Sequence, residues 1–130
     1  MSALGFNNSL GIHPNAMQLR AARAEILANN LANSDTPNFK ARDMDFNAML
    51  NAESKRGLAM AATNPSHLRG TIDTNSELMY RNPYQPSIDG NTVDSQMEQS
   101  FYTDNALRYD ASFQFLNGKF KGLSNAIKGQ

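Results

Sequence analysis

Residues 94–128 read DSQMEQSFYTDNALRYDASFQFLNGKFKGLSNAIK, a stretch without proline that predicts one long α-helix. Apolar residues recur in it at alternating steps of four and three. Their mean spacing of about 3.5 residues holds a stripe of side chains against a partner helix. At a rise of about 1.5 Å per residue, the helix would be about 50 Å long. The stripe consists of Tyr102, Ala106, Tyr109, Phe113, Leu116, Phe120, Leu123 and Ile127.

A helix of this length needs a surface to pack on. The chain of 130 residues has room for one domain of ordinary size, and a compact domain of that size does not require a 50 Å helix. The stripe can pack within the chain, in an antiparallel helix pair, or against other subunits. We expect a role in assembly rather than in catalysis.

A second amphipathic helix is predicted over residues 16–31. Pro14 fits the first helical turn. Arg20 and Arg23 fall inside the apolar arc, where their stems can pack while their charged ends reach water or a carboxylate. The apolar residues cover about half of the helix circumference. They are Ala16, Met17, Leu19, Ala24, Ile26, Leu27 and Leu31.

This first helix is followed by a strong stop signal, NNLANSDTP at residues 29–37. Pro37 disfavours helical backbone at Thr36. The Asn, Ser and Asp side chains can bind the backbone groups that a helix end leaves free. Taken alone, the pattern indicates an ordinary helix end.

Residues 53–90 show no helical period and contain three of the five prolines. The tripeptide DGN at residues 89–91 predicts a turn just before the long helix. Thr92 or Asp94 can then cap the start of that helix. Candidates for brief strands are the short apolar pieces at 58–60, 68–72 and 78–80.

These patterns predict a mainly α fold. The N- and C-terminal helices, within residues 1–40 and 91–130, pair as a coiled coil and form one core layer. Residues 41–90 form an irregular or small β middle segment between them. Because the helices lie at the chain ends, they can pair and project the middle segment outward.

Charge and composition argue against several classes of protein. The chain has 12 basic and 12 acidic residues, whereas nucleic-acid-binding proteins normally carry a basic excess. It has no cysteine, which excludes disulfides and thiolate chemistry. No run approaches the roughly 18 apolar residues of a membrane span. Residues 1–10 lack the basic start and apolar core of a secretory signal. We expect neither nucleic-acid binding nor direct membrane insertion.

Signals for catalysis or metal binding are also missing. His13 and His67 lie far apart, with no carboxylate at the spacing of a metal site. Asp43 and Asp45 flank one residue, but the pattern of a calcium-binding loop does not follow. The chain has no phosphate-binding glycine loop and no nucleophile elbow. We therefore predict no enzymatic activity, no cofactor and no metal.

Two motifs resemble those of bacterial flagellar rod and hook proteins. Residues 29–43, NNLANSDTPNFKARD, resemble the N-terminal signature Asn-x-Ala-Asn-x-x-Thr-Pro-x-aromatic. Residues 89–94, DGNTVD, with Glu98 four residues on, resemble the counterpart in which Asn-x-Val-Asp opens the last helix. The chain is most similar to the basal-body rod family and, within it, to the proximal-rod subunits. The pieces that favour those subunits are RAEIL at 23–27, DMDF at 43–46 and NALRY at 105–109.

The resemblance implies a structural subunit of the flagellar basal-body rod, a shaft that crosses the periplasm. Its terminal helices would form a coiled-coil layer inside a helical tube. Its partners would be copies of itself, other rod proteins, and a membrane-ring or rod-adaptor protein at the rod base. Export through the flagellar type III apparatus would explain why no cleaved signal peptide is seen.

Three groups of residues follow from this resemblance. The turn motif consists of Thr36, Pro37 and Phe39. The helix-start motif consists of Asn91, Val93, Asp94 and Glu98. The expected assembly interface consists of Leu19, Ile26, Leu27, Asn30, Leu31, Asn33, Tyr109, Phe113, Leu116, Phe120, Leu123 and Ile127.

Phe46 and Leu50 form a further candidate site. Their spacing resembles the Phe-x-x-x-hydrophobic element by which early flagellar export substrates dock at the export gate. The alternative is a simple packing pair, four residues apart, on a short helix.

One other class of function remains open from the sequence. An adaptor or export chaperone could hold an amphipathic helix of a partner with the same apolar stripe. Such a protein would not need the Asn-Thr-Pro turn. A third class, an enzyme that cuts peptidoglycan, is disfavoured because this chain has no credible carboxylate pair or catalytic triad.

Overall fold

The computed structural model describes residues 10–59, 78–83 and 87–129. Within these residues the chain forms three helices and two short strands. The mainly α fold with a small β element between the terminal helices is confirmed. In chain order the elements are α1 (His13–Ala32), β1 (Arg42–Met44), α2 (Phe46–Ala59), β2 (Leu78–Tyr80) and α3 (Ser95–Lys128).

The long helix α3 has 34 residues and begins and ends with defined caps. The Asp94 carboxylate accepts hydrogen bonds from the backbone N–H groups of Gln96 and Met97, at 3.0 and 3.2 Å. At the other end, Gly129 adopts a φ of 72° and its N–H binds the carbonyl of Asn125. This left-handed conformation favours glycine. The predicted span and the predicted cap at Asp94 are confirmed.

Helix α1 runs antiparallel to α3. Asn30, near the end of α1, binds Glu98 in the first turn of α3. His13, at the start of α1, stacks on Phe115 with 5.5 Å between ring centroids. Pro14 lies in the first turn of α1, as predicted. The pairing of the two terminal helices is therefore formed within one subunit.

The two strands form an antiparallel sheet in which Asp43 faces Met79. The strand predicted at residues 78–80 is confirmed. The strand predicted at 58–60 is wrong, because Leu58 and Ala59 continue helix α2. The candidate strand at 68–72 lies outside the described residues.

Helix α2 follows β1 directly and lies within residues 41–90, which the sequence predicts to be irregular or small β. A short helix carrying Phe46 and Leu50 is the alternative interpretation of that pair, and α2 agrees with it. Phe46, Met49 and Leu50 recur at steps of three and one, so they share one face of a helix. That face packs on a small core whose buried residues are Leu19, Met44 and Met49. Contact with this core explains why the segment is helical, since a short helix is marginal without tertiary packing.

Candidate assembly surface

Asn91 holds the turn after α1 against the start of the last segment. Its amide nitrogen donates to the carbonyl oxygens of Asn33, Ser34 and Thr36, at 3.1, 2.6 and 3.0 Å. Its amide oxygen accepts from the N–H of Val93 at 2.8 Å. The side chain is buried. One amide therefore satisfies backbone groups on both sides of the contact between the two sequence motifs.

The turn preceding Asn91 needs glycine at position 90. Gly90 has a φ of 75°, a left-handed conformation that L side chains rarely adopt. A Cβ atom built there would lie 2.7 Å from the Oδ1 atom of Asn38. Asn38 itself has a φ of 62° and its N–H binds the carbonyl of Asp89. Both motifs thus contribute one left-handed residue to a tight backbone crossing.

Asn30 joins α1 to β1 and α3. Its amide nitrogen donates to the carbonyl of Arg42 at 2.7 Å and to the Glu98 carboxylate at 3.1 Å. Its oxygen accepts from the N–H of Arg42 at 3.1 Å. Asn30 therefore pairs with one edge of the strand as a neighbouring backbone would.

A network of four charged groups lies beside Asn30. Arg23 donates two hydrogen bonds to Asp43, at 3.0 and 2.9 Å. Arg81 donates to the same Asp43 at 2.6 Å and also to Glu98. The network joins residues from α1, β1, α3 and the segment after β2, and its four charges cancel. Charge-assisted, bidentate pairs of this kind are stronger than neutral hydrogen bonds.

The pKa values of the two carboxylates in the network are shifted in opposite directions. Burial favours a higher pKa for Asp43, but its hydrogen bonds and ion pair with Arg23 outweigh this effect and the pKa is lowered. Glu98 is only 1% exposed. Its burial raises the pKa, and the opposing hydrogen bond from Asn30 and the charge of Arg81 do not cancel that effect. Glu98 is thus the group whose ionisation costs the most in this junction.

Arg20 of α1 contacts both α2 and α3. Its guanidinium carbon sits 4.1 Å from the ring centroid of Phe46, a cation–π contact. Its carbonyl accepts a hydrogen bond from Asn105 at 2.8 Å. The Arg20 Nε and Asn105 Oδ1 atoms are buried without a hydrogen-bond partner among the described residues. Burial lowers the pKa of Arg20, and the charge of Arg108 adds to this effect.

The apolar stripe of α3 is displaced from the contact with α1. The side chains of α3 that are buried against the rest of the subunit are polar, Glu98 and Asn105. Leu116 and Leu123 are half-buried. The large apolar residues on the stripe remain between 39% and 82% exposed. They are Tyr102, Tyr109, Phe113, Phe120 and Ile127.

A groove of about 460 Å³ runs beside this stripe, between α1 and the first half of α3. Its rim includes the exposed carboxylate residue Glu25. Four alanines, three from α1 and one from α3, line the groove together with two tyrosines of α3. We call this surface the alanine groove, and its apolar lining consists of Ala21, Ala24, Ala28, Tyr102, Ala106 and Tyr109.

No described helix is long and apolar enough to cross a membrane. Among residues 10–59, 78–83 and 87–129, no three His, Asp or Glu side chains are grouped closely enough to hold a metal ion.

Comparison with known proteins decides the family. Residues 10–40 match the family model described as flagella basal body rod protein. The chain is 44% identical to the flagellar basal body rod protein FlgB of Aeromonas hydrophila, over 98% of both chains. It is 41% identical to the FlgB proteins of Cereibacter sphaeroides and Escherichia coli K12, over at least 92% of each chain. The chain belongs to the flagellar basal body rod protein family. The resemblance drawn from the two motifs is confirmed.

In this rod-family chain the structure brings the two motifs together. Thr36 and Pro37 are exposed in the turn, and Phe39 is half-buried beside it. The Phe39 carbonyl accepts from the N–H of Thr92 at 3.1 Å. Asn33 binds the Asn29 carbonyl at 2.8 Å and so caps α1 locally.

Several residues expected at the assembly interface are used inside the rod-family subunit. Leu19, Leu27 and Asn30 are buried within it, and Ile26 is partly buried against its core. Leu31 is half-buried. Of the residues expected at the interface, the large apolar ones on the stripe of α3 stay exposed in the folded subunit.

Sequence reasoning missed the charged network of the rod-family subunit. The sequence predicts that the charged end of Arg23 can reach a carboxylate, but it does not identify Asp43 as that partner. The sequence gives no indication of a role for Arg81, because this residue lies in a segment without hydrophobic periodicity. A basic residue on the apolar arc of α1 was the one usable indication of a buried ion pair.

Proposed function

We propose that this chain builds the proximal part of the flagellar basal-body rod by packing the exposed stripe of α3 against neighbouring subunits. Family membership makes it a structural rod subunit that assembles with other rod proteins. The adaptor or export-chaperone alternative is set aside on that ground. The observation that supports our proposed packing is the stripe itself, which keeps five large apolar side chains exposed in the folded subunit.

The size of the stripe is sufficient for an interface. A large aromatic side chain can bury about 150–250 Å². Given their exposed fractions, the five residues together offer about 500 Å² of apolar surface on one face of α3. At about 25 cal/mol per Å², full burial would contribute about 12 kcal/mol, against an association cost of about 4–15 kcal/mol. Such a balance suits a subunit that assembles in an ordered structure and stays separate when dilute.

We further propose the location and the partners that this role requires. The subunit lies in the periplasm, after export through the flagellar type III apparatus without a cleaved signal peptide. It contacts copies of itself, other rod proteins, and a membrane-ring or rod-adaptor protein at the rod base. An interface between two different surface patches generates an open helical assembly rather than a closed ring, unless the rotation happens to close.

Charge substitution on the stripe tests the proposal. Phe120 is 45% exposed, so Phe120→Asp should leave the isolated subunit folded. In an assembled rod it would bury an unpaired charge, which costs several kcal/mol. We expect cells with this variant to lose motility while the subunit is still secreted.

The matched control is Leu107→Asp, on the opposite face of α3, where Leu107 is 69% exposed. This variant should swim normally. Normal swimming of the Phe120→Asp strain, with the variant present in basal bodies, would remove the stripe from rod assembly.

A further inference from the structure

The middle of the contact between α1 and α3 contains two polar atoms without hydrogen bonds. The Nε atom of Arg20 and the Oδ1 atom of Asn105 are closed to solvent and have no partner among the described residues. A polar atom that is buried in this way loses the hydrogen bonds that water gives it in an open chain. Each of the two atoms therefore makes the closed contact less favourable relative to an open one.

The charge of Arg20 adds a second cost at the same place. Burial lowers the pKa of Arg20, and the like charge of Arg108 lowers it further, whereas the carboxylate of Asp104 offsets these effects only in part. The packed subunit thus disfavours the charged form of this side chain. The guanidinium lies over the ring of Phe46, which holds it against α2 rather than against α3.

The surroundings of the two atoms supply little apolar burial in return. The alanine groove borders both Arg20 and Asn105, and its walls beside them include Ala24 and Ala106. Small side chains bury less apolar surface than large ones. Among the described residues of α3, the buried side chains are the polar ones of Glu98 and Asn105.

The first turn of α3 is held more firmly than the remainder of the helix. Glu98 accepts hydrogen bonds there from Asn30 and Arg81. Beyond residue 105, by contrast, every aromatic side chain of α3 is at least 39% exposed. The firm and the weak parts of the contact with α1 therefore meet near Asn105.

We propose that Arg20 and Asn105 form a release point, at which α3 separates from α1 before the rest of the subunit unfolds, and that export uses this opening. On separation both unpaired atoms gain hydrogen bonds with water, while the first turn of α3 stays anchored through Glu98. The use in export rests on the proposed function, because a folded subunit that is exported has to be unpacked first.

Two substitutions remove the unpaired atoms and keep side chains of similar length. Arg20→Met retains an apolar side chain against Phe46, and a thioether packs favourably on an aromatic ring. Asn105→Leu gives up the hydrogen bond to the Arg20 carbonyl, but that carbonyl still accepts the hydrogen bond of its own helix. The double variant should therefore hold α3 on α1 more tightly than the unmodified chain does.

Amide hydrogen exchange of the purified subunit measures the opening directly. In the unmodified chain, the amides of residues 106–115 should exchange faster than those of residues 98–104, because they open without the rest of the fold. In the double variant, exchange at residues 106–115 should slow by about tenfold or more. Equal exchange along α3 in the unmodified chain would overturn the release point, and so would a double variant that opens more readily.

Secretion tests whether export uses the release point. In a strain that cannot assemble rods, the double variant should lose most of its secretion while its cellular amount stays near normal. The matched control is Gly118→Ala, since a Cβ atom built at Gly118 meets no atom within 4 Å. Alanine strengthens the helix at this position without closing the contact with α1. This control should be secreted normally.

Three outcomes of the secretion experiment distinguish the proposal from the function on which it rests. An equal loss of secretion in Gly118→Ala would show that helix stability, and not the release point, limits export. Normal secretion of the double variant despite its slower exchange would reject the use of the release point in export. If the unmodified chain were not secreted, the proposed export route would be wrong, whereas the exchange pattern would still decide whether α3 separates at Arg20 and Asn105.

Discussion

Asparagine side chains take the place of backbone partners where the chain of this subunit changes direction. Asn91 binds three carbonyl oxygens of the turn after α1. Asn30 pairs with both backbone groups of Arg42. Each of these amides is buried, so its donors and acceptors have no access to bulk water. An amide is suited to both sites because it offers a donor and an acceptor on one short side chain.

Replacing Asn91 should destabilise the folded subunit. Asn91→Ala removes the donor to three carbonyl groups, and unsatisfied buried polar groups cost about 1–3 kcal/mol. Asn91→Asp keeps the acceptor for the N–H of Val93 but also lacks that donor, so it should lose at least as much stability. Urea unfolding of both variants measures the effect. If Asn91→Asp were as stable as the unmodified chain, the three carbonyl contacts would not be important.

At the scale of elements, Arg81 joins the small sheet to the helix pair. It follows β2, binds Asp43 of β1 and Glu98 of α3, and stacks on Phe101 at 4.6 Å. No one of these elements supplies all the charges. The network therefore forms only when the two helices and the sheet are packed together, and it orients the sheet relative to the helices.

The stability of this junction should depend on pH through Glu98. Its pKa is raised in the folded subunit above the ordinary value of about 4.5, so the folded state binds the proton more tightly than the unfolded state. The free energy of unfolding contributed by Glu98 is therefore greatest below pH 4.5 and decreases as pH rises through the folded pKa.

The Glu98→Gln variant isolates this effect, because its amide oxygen can still accept from Asn30 while it does not titrate. Urea unfolding between pH 4 and 7 should show the unmodified chain losing stability relative to this variant as pH rises. A relative gain with rising pH would mean that the ion pair with Arg81 outweighs the cost of burial.

For the whole molecule, the important division is between the face buried on folding and the exposed face of α3 that we propose for assembly. The buried core lies near the contact of α1, β1 and α2, with Leu19, Met44 and Met49 at its centre. The second half of α3 contributes little to it. Phe46 and Leu50 pack against the core, as expected of the simple packing pair. Their use in export would require the unfolded chain.

The amount of secreted subunit distinguishes a docking role of Phe46 at the export gate from its packing role in the core. If Phe46 docks at the export gate, Phe46→Ala should reduce the amount of subunit secreted by a strain that cannot assemble rods, while the cellular amount stays near normal. Met49→Ala, on the same helix face but outside the pair, should weaken the core and leave secretion unchanged. Unchanged secretion of Phe46→Ala would assign this residue to packing alone.

Much of the fold and of the family assignment could be predicted from local sequence patterns. The heptad steps predicted α3 and its apolar stripe, and the two motifs predicted the turn, the cap at Asp94 and the family. The full extent of helix α2 and the charged network were not accessible. In both cases the residues that contact each other lie far apart in the sequence. In the network, for example, Arg81 and Glu98 lie far along the chain from Arg23 and Asp43.

The sequence by itself determined the helix periods, the helix caps, the turn chemistry and the zero net charge, because each depends on residues within a few positions or on composition alone. Only the tertiary structure decided which face of α3 is covered. The heptad stripe suggested that Phe113 and Phe120 face a partner, but Glu98 and Asn105 make the buried contact with α1. They do so because partners converge on that face: the carbonyl of Arg20 accepts from the Asn105 amide nitrogen, and the Glu98 carboxylate accepts from Asn30 and Arg81. The apolar stripe is consequently left on the outside of the folded subunit.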